Sequence, residues 1–259
     1  MRRVLLKITV MLVSCGAIGQ EAKPAHEWTY NGDEGPQHWG DVKPDYATCK
    51  LGRLQSPIDI RDAKKAPLPP IHFDYKPSPL KIIDNGHSIQ VNYAPGSFIS
   101  IGEKRYELRQ FHFHHPSEER IAGNQYDMVI HLVHADSEGH LAVIAVLFKN
   151  GNADPTIRTL WQNLPAQKDK EETVPGVNIN AGSLLPQSLD YYTFEGSLTT
   201  PPCTEGVTWF VLRSPREVST EQVNTFAKLY PNNARPTQPL NGRVVSESES
   251  SSAQAGKNR

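Results

Sequence analysis

The most informative segment of this chain is Gln110-Phe111-His112-Phe113-His114. Polar and aromatic residues alternate along it, which predicts a β-strand with both histidines on one face and both phenylalanines on the other. A second strand is predicted for residues 128–134, which include His131, and the turn-forming Gly123 and Asn124 lie between the two segments. The two strands can therefore lie antiparallel and side by side, with their histidines close together.

Three histidines on neighbouring strands form a typical set of metal ligands. A lone histidine is usually an ordinary polar residue bonded to its neighbours, and an HxH pair leaves both interpretations open. The third histidine favours a metal, so His112, His114 and His131 are predicted to bind Zn²⁺. Zinc with three histidines and an open fourth position is the arrangement that activates a water molecule.

Length and composition indicate a domain built from many short strands. The chain has 259 residues, enough for one large domain or at most two small ones. Lysine and arginine number 27 against 28 aspartates and glutamates, so nothing indicates a nucleic-acid partner. The 21 prolines and 18 glycines are spread along the chain, as in proteins with many turns. We expect a single domain over residues 23–245.

Local patterns predict eight strands and two helices. The strands, rich in β-branched and aromatic residues, are expected at 82–83, 88–93, 98–101, 106–114, 126–134, 141–148, 191–198 and 208–212. The helices are expected at 155–164 and 220–229, with Thr220 as the N-cap of the second.

Both ends of the chain are predicted to lie outside the domain. Residues 1–19 have the pattern of a secretory signal peptide, with basic residues before an apolar run that is too short to span a membrane. The segment ending at Cys15 also resembles a lipoprotein box, so Cys15 is either a lipid-anchored first residue or part of a discarded signal. No transmembrane segment is predicted. Residues 246–259 are rich in serine and glutamate and are predicted to be a disordered tail. The expected location is periplasmic or secreted.

Cys49 and Cys203 remain once the signal peptide is set aside. An even pair of cysteines in an exported chain predicts a disulfide, and two buried free thiols are the alternative.

Six separated motifs resemble the α-class carbonic anhydrases in their bacterial, secreted form. In chain order they cover residues 35–39, 55–60, 85–87, 110–114, 131–134 and 197–203. The resemblance implies a mixed, mainly β fold with a central, largely antiparallel twisted sheet of about ten strands and a few short peripheral helices. It also implies a zinc site at the bottom of a conical cleft and a disulfide between Cys49 and Cys203.

The resemblance further implies an activity, the zinc-dependent reversible hydration of CO2 to bicarbonate and a proton by a zinc-bound hydroxide. Thr199 resembles the residue that orients the hydroxide, and Glu118 resembles the carboxylate that accepts the threonine's hydrogen. His87 resembles the proton shuttle, for which a turn histidine is the structural alternative. Gln110 matches the acceptor for the ring of His112.

An apolar substrate pocket is also implied. Its residues are Val133, Val143, Leu198, Thr200 and Trp209. Without the resemblance, the four apolar ones would be interpreted as ordinary core residues.

One position departs from the family pattern near the metal. Many members carry a glutamate two residues before the third ligand, where this chain has Val129. Valine accepts no hydrogen bond, and an unpaired, buried ring N–H of His131 would be unfavourable, so either another group such as Asp127 or a water must accept it. We expect zinc to be held more loosely than in relatives with the glutamate.

Two other functions are alternatives to carbonic anhydrase activity. His112, His114 and Glu118 also fit the first metal motif of a cupin, although its later glycine is misplaced and no second cupin motif is present. A metal-free, carbonic-anhydrase-like binding module is the other alternative, but it should lack a ligand histidine. A homodimer is compatible with the sequence.

Overall fold

The computed structural model describes residues 27–249. The predicted signal peptide, Cys15 and the last ten residues of the predicted tail lie outside this range. No helix within residues 27–249 is long and apolar enough to cross a membrane.

Within residues 27–249, sixteen β-strands and a few short helices make up the fold. The strands, β1 to β16 in chain order, are Asp59–Ile60, Lys64–Ala66, Ile71–Asp74, Ser78–Asp84, Ile89–Asn92, Phe98–Ile101, Lys104–His114, Arg120–Ile121, Asn124–Gln125, Met128–Ala135, Leu141–Asn150, Glu172–Ile179, Tyr191–Ser197, Glu205–Leu212, Arg216–Val218 and Ser246–Ser248. The α-helices, α1 to α4, are Trp39–Val42, Thr48–Leu51, Pro155–Trp161 and Thr220–Ala227, and 3₁₀ turns cover Gly32–Glu34, Pro44–Tyr46 and Ala181–Leu184.

One large twisted sheet contains most of the strands. Its main path runs β12-β4-β5-β7-β10-β11-β14-β13-β16-β2, and β3, β6 and β15 pair with it at the side. Most neighbours are antiparallel, while β11 is parallel to both β14 and β15, and β16 is parallel to β2. The predicted fold class, a mainly β protein around a largely antiparallel sheet, is confirmed.

The two strands that carry the histidines lie next to each other at the centre of the sheet. Strands β7 and β10 are antiparallel, and the Cα atoms of His112 and His131 are directly opposite each other. Side chains along β10 alternate between two apolar clusters: Ile130 and Leu132 belong to the larger one, and Val129 belongs to the smaller one on the other face. The histidines share the face of the smaller cluster, so the site lies within a sheet covered on both faces.

The disordered tail was predicted for residues 246–259, but its first three residues are ordered. Ser246–Ser248 forms β16, which pairs with β13 on one side and with β2 on the other, and Ser248 Oγ accepts a hydrogen bond from the backbone N–H of Tyr191 at 2.9 Å. Polar composition suggested disorder, but two neighbouring backbones pair with this segment and order it.

The helix predictions also need a correction at one cap. Ser219, rather than Thr220, is the N-cap of α4, and with Gln222 it forms a reciprocal capping box. Helix α3 begins at Pro155 as predicted, with the Asp154 carboxylate accepting from the first free backbone N–H groups.

Candidate metal and active site

Three imidazoles converge from β7 and β10. The ring centroids of His112 and His114 are 5.0 Å apart, and that of His131 lies 5.5 Å from the first and 4.7 Å from the second. One nitrogen from each ring lies within 4.8 Å of the others. The structure therefore brings together the three predicted ligands.

Each of the three rings has its other nitrogen engaged by an oxygen acceptor. The contacts are His112 Nδ1 to Gln110 Oε1 at 2.8 Å, His114 Nδ1 to the carbonyl of Asn233 at 2.7 Å, and His131 Nε2 to Glu119 Oε1 at 3.1 Å. Such acceptors select the tautomer in which the opposite nitrogen carries a lone pair. The rings therefore present two Nε2 atoms and one Nδ1 atom for a metal.

The donor set fits a zinc ion. Among the described residues, the buried His114 Nε2 and Glu118 Oε2 atoms have no hydrogen-bond partner, although they lie 3.6 Å apart. Burial lowers the pKa of His112 to about 3 and that of His114 well below its ordinary value, so both rings are neutral at physiological pH. Burial also acts to lower the pKa of His131, but the nearby carboxylates of Glu119 and Glu118 raise it overall. Neutral imidazoles with a free buried nitrogen suit Zn²⁺, a borderline-soft cation that is usually coordinated tetrahedrally.

Glu118 lies buried beside the ligand atoms. Its Oε1 accepts the backbone N–H of Arg235 at 2.7 Å, while Oε2 lies 3.8 Å from His131 Nδ1. Burial raises the pKa of Glu118 to about 7, against the lowering effects of His131 and of a polar contact from the Thr199 side chain. No bond between Glu118 and Thr199 has the geometry of a regular hydrogen bond. The two predicted partners are nevertheless neighbours, and both are buried.

Arg235 joins this carboxylate to the predicted disulfide. Cys49 and Cys203 are covalently linked, with an S–S distance of 2.07 Å. The buried guanidinium of Arg235 donates to the carbonyl of Cys49 at 2.9 Å and to the side chain of Gln55 at 2.9 Å. Gln55 in turn donates to the carbonyl of Cys203 at 3.0 Å. The disulfide is thus built into the network behind Glu118.

Three of the residues predicted to line the substrate pocket form a row across three strands. The Cα atom of Val143 is opposite Val133 on one side and Trp209 on the other. The indole of Trp209 lies 4.9 Å from the His131 ring, edge to face. Leu198 packs against the same cluster, and half-buried Thr200 uses its carbonyl to accept the N–H of Cys203 at 2.8 Å. An apolar surface therefore borders the ligands.

His87 follows a turn and lies beside two aromatic residues from the start of the described range, Trp28 and Tyr30. The side chain of Asn85 accepts the backbone N–H of His87 at 3.0 Å. The imidazole stacks on Trp28 with ring centroids 3.6 Å apart and an interplanar angle of 6°, and Tyr30 lies at 6.5 Å. The residue as a whole is half-buried.

Of the two alternatives expected for His131, another group takes over, but the suggested residue is wrong. Glu119, not Asp127, lies against its Nε2 atom. The Asp127 carboxylate instead accepts the backbone N–H of Asn150 at 2.7 Å. Since an acceptor is present, the reason for expecting loosely held zinc disappears.

Sequence reasoning missed Glu119, Asn233 and Arg235 as parts of the site. The signal for Glu119 is the pair of adjacent glutamates shortly after the histidine strand, of which the family resemblance assigns a role only to Glu118. Asn233 and Arg235 lie far along the chain in a loop without a metal-ligand pattern. Nothing in their local sequence distinguishes them.

Known proteins resemble this chain in sequence and in fold. The family model for eukaryotic-type carbonic anhydrase matches residues 34–249. A carbonic anhydrase from a Nostoc species is 41% identical, with 95% of this chain and 97% of the relative covered. The structure of a hyperthermostable carbonic anhydrase from a hydrothermal vent chimney is 48% identical, with a TM-score of 0.83 over 86% of this chain and 100% of that one. The α-carbonic anhydrase of Thermovibrio ammonificans, solved with sulfanilamide, is 42% identical, with a TM-score of 0.82 over 85% of this chain and 98% of that one.

These likenesses exclude the cupin interpretation, because they extend over nearly the whole described domain. Family, fold and histidine geometry agree, and the chain belongs to the eukaryotic-type, or α-class, carbonic anhydrases.

Proposed function

We propose that this enzyme hydrates CO2 reversibly to bicarbonate and a proton with a Zn²⁺ ion held by His112, His114 and His131. The observation that carries the proposal is the convergence of three ring nitrogens within 4.8 Å, each ring having its second nitrogen bound to an acceptor. Zinc in such a site lowers the pKa of a coordinated water towards neutrality, which is the established behaviour of carbonic anhydrases.

Glu118 and Thr199 orient the reacting oxygen in this proposal. Glu118 is fixed through Oε1 by the backbone of Arg235, so its Oε2 atom remains available to accept the hydroxyl hydrogen of Thr199. A threonine that donates to a carboxylate can only accept from the reacting group. Catalytic hydrogen bonds are often long in the ligand-free protein and shorten when the site is filled.

The substrate lies against the apolar row. CO2 has no net dipole and gains little from polar contacts, so the surface of Val133, Val143, Leu198 and Trp209 suits it. Trp209 also packs edge to face on His131, which places this surface next to the metal ligands. Thr200 completes the pocket beside Thr199.

His87 exports the product proton. Imidazole as a class accepts and releases protons near neutral pH. Stacking on Trp28 holds the ring in one orientation, while its half-burial leaves a route to buffer.

The test of the proposal removes one ligand. His112→Ala should lose bound zinc and CO2 hydration together, because two histidines do not hold catalytic zinc tightly. Zinc content is measured by mass spectrometry of metals and hydration by stopped flow. His140→Ala, at an exposed histidine that is not one of the three ligands, is the matched control and should change neither. Near-normal zinc and activity in His112→Ala would contradict the assignment.

The wild-type protein itself distinguishes the enzyme from a metal-free binding module by its zinc content and its CO2 hydration. Such a module would be purified without zinc and would not hydrate CO2 when zinc is added. The presence of all three histidines favours the enzyme.

We also propose export to an oxidising compartment. The disulfide between Cys49 and Cys203 supports this proposal, because such bonds persist outside the cytoplasm. Expression of the full-length chain in a Gram-negative host tests the signal peptide. Release on Cys15→Ser of an otherwise membrane-bound product would indicate a lipid anchor, and a soluble product beginning at Gln20 would exclude it.

A further inference from the structure

We propose that Glu119 is the residue that positions His131 as a metal ligand, from a loop rather than from the ligand's own strand. The inference rests on the proposed zinc function. Glu119 supplies the carboxylate that selects the ring tautomer of His131, and Val129 occupies the position on β10 from which a carboxylate could otherwise come.

Glu119 has a geometry suited to this role. Its Oε1 and Oε2 atoms lie 3.1 and 3.3 Å from Nε2 of His131, so the whole carboxylate faces one nitrogen. The side chain is fully buried. Within residues 27–249, its ion-pair partner is His131, and no lysine or arginine forms an ion pair with it. A buried carboxylate without a basic partner is costly, unless a nearby cation or a charge-assisted hydrogen bond compensates it.

The backbone around Glu119 is fixed from both sides. Ser117 Oγ donates to the carbonyl of Glu119 at 2.8 Å and accepts the N–H of Tyr126 at 2.9 Å. The next residue, Arg120, begins β8, which pairs with both β1 and β9 in a separate three-stranded sheet. The carboxylate is therefore presented by a short loop that is anchored at two points and lies outside β10.

Val129 explains why the carboxylate comes from elsewhere. It lies two residues before His131 on the same face of β10, where its Cα atom is opposite His114. Its side chain is fully buried in the smaller apolar cluster, which includes Ile58 and Ile60. A glutamate at position 129 would face the same ring. Positions 119 and 129 are therefore two alternative places from which a carboxylate can reach His131.

A purely structural role for Glu119 predicts something different. If Glu119 only filled space, its loss would lower the stability of the metal-free protein and leave the His131 tautomer and zinc release unchanged. If it positions the ring, the acceptor fixes hydrogen on Nε2 and leaves Nδ1 for the metal.

The experiment compares four proteins loaded with zinc. They are wild type, Glu119→Ala, Glu119→Ala/Val129→Glu, and Glu221→Ala as the control at an exposed glutamate of α4. The measurements are the rate of zinc transfer to a chelator and the ¹⁵N NMR signature of the His131 ring. We expect Glu119→Ala to release zinc about ten- to hundredfold faster, the scale typical for loss of such an acceptor. The double variant should recover most of the loss and restore the signal of hydrogen on Nε2, and the control should match wild type.

Zinc release from Glu119→Ala at the wild-type rate, or a double variant that is no slower than Glu119→Ala, would overturn the proposal. If Glu119→Ala does not fold, Glu119→Met is measured instead, because methionine keeps about the same side-chain volume but removes both carboxylate oxygens. Faster release from it supports the role, and unchanged release overturns it.

Failure of the proposed function gives a distinct pattern. A wild-type protein that binds zinc without hydrating CO2 would contradict the function, while the release rates would still decide the role of Glu119. Wild-type protein that binds no zinc would overturn both.

Discussion

The backbone carbonyl of Asn233 lies 2.7 Å from Nδ1 of His114, and the side-chain amide of the same asparagine donates to the carbonyls of His87 and Phe113 at 3.0 and 2.9 Å. Its Oδ1 atom accepts the backbone N–H of His115 at 2.8 Å. One fully buried residue therefore connects the end of β7, a metal-ligand ring and the turn that carries His87.

Asn233→Ala should destabilise the protein and weaken the site. It removes the acceptor of the His115 N–H and a donor from two carbonyls, of which that of Phe113 keeps the Ser88 hydroxyl at 2.6 Å. A buried group left unsatisfied costs about 1–3 kcal/mol. Urea denaturation measures the free energy of unfolding, and chelator titration measures zinc affinity. Asn232→Ala, at the exposed neighbouring asparagine, is the control and should have little effect. Equal stability of the two variants would show that the amide contacts of Asn233 contribute nothing.

Thr199→Ala should keep zinc but lose on the order of a hundredfold in kcat/KM, the scale for loss of one preorganised hydrogen-bonding group. The matched variant Thr199→Ser retains the hydroxyl near Glu118 and should keep most of the rate. Stopped-flow CO2 hydration at constant zinc content distinguishes the two. An Ala variant as fast as the Ser variant would remove the threonine hydroxyl from the mechanism.

His87→Ala should slow turnover in dilute buffer and leave kcat/KM unchanged, because only proton export depends on this ring. Added imidazole should restore turnover, since it can carry the proton from solution. Trp28→Ala, which removes the surface on which His87 stacks, should cause a smaller loss of the same kind. If concentrated buffer gives no rescue of His87→Ala, another group exports the proton.

Strongly patterned elements could be predicted from the sequence, and weakly patterned ones could not. Strand β6 has the predicted bounds, Phe98–Ile101, because its apolar residues have β-favouring side chains and lie between turns. Lys64–Ala66 and Ser246–Ser248 were missed because they are short, polar strands near the end of the sheet that are ordered by distant backbones. Their pairing is a property of the fold and leaves no local pattern.

The same distinction applies to the site. His112, His114 and His131 lie on adjacent strands with a readable alternation, so their convergence could be predicted. Glu119 and Asn233 act through contacts made by loops, with sequence separations of 12 and 119 residues from the rings that they contact. A loop carbonyl that accepts from a ligand ring can belong to any residue type, and no motif reports it.

Removal of the disulfide should destabilise the fold. Cys49→Ser/Cys203→Ser should lower the free energy of unfolding by about 2–5 kcal/mol, the usual cost of losing a native disulfide in an exported domain. Denaturation of the two proteins with and without reductant measures this difference, and reductant should affect only wild type. If wild type does not respond to reductant under denaturing conditions, the bond does not form in solution.

His134, which is not one of the metal ligands, should make the stability of the fold sensitive to acid. Its ring is fully buried, with Nε2 located 2.8 Å from the hydroxyl of Tyr75 and Nδ1 located 3.3 Å from the carbonyl of Ala142. Burial lowers the pKa of His134 to about 3, and the backbone hydrogen bonds offset this only in part. The folded protein therefore holds this ring neutral under conditions in which the unfolded chain protonates it.

The sign of the effect follows from linkage. The folded pKa lies below the unfolded value of about 6.5, so this contribution to stability is complete above that pH and is lost as the pH falls towards 3. Each pH unit in this window costs about 1.4 kcal/mol, which amounts to roughly 2–3 kcal/mol between about pH 6.5 and 4.5. His134→Gln cannot titrate and can still bond to Tyr75. Between about pH 6.5 and 4.5, the free energy of unfolding of this variant should therefore fall by roughly 2–3 kcal/mol less than that of wild type.

Both proteins are compared without zinc, so that acid release of the metal does not contribute and the titration of His112 and His114 cancels. His140→Gln is the control, because His140 is exposed and paired with Asp136 at 3.0 Å. Parallel pH profiles for wild type and His134→Gln would show that the folded protein does not hold His134 neutral.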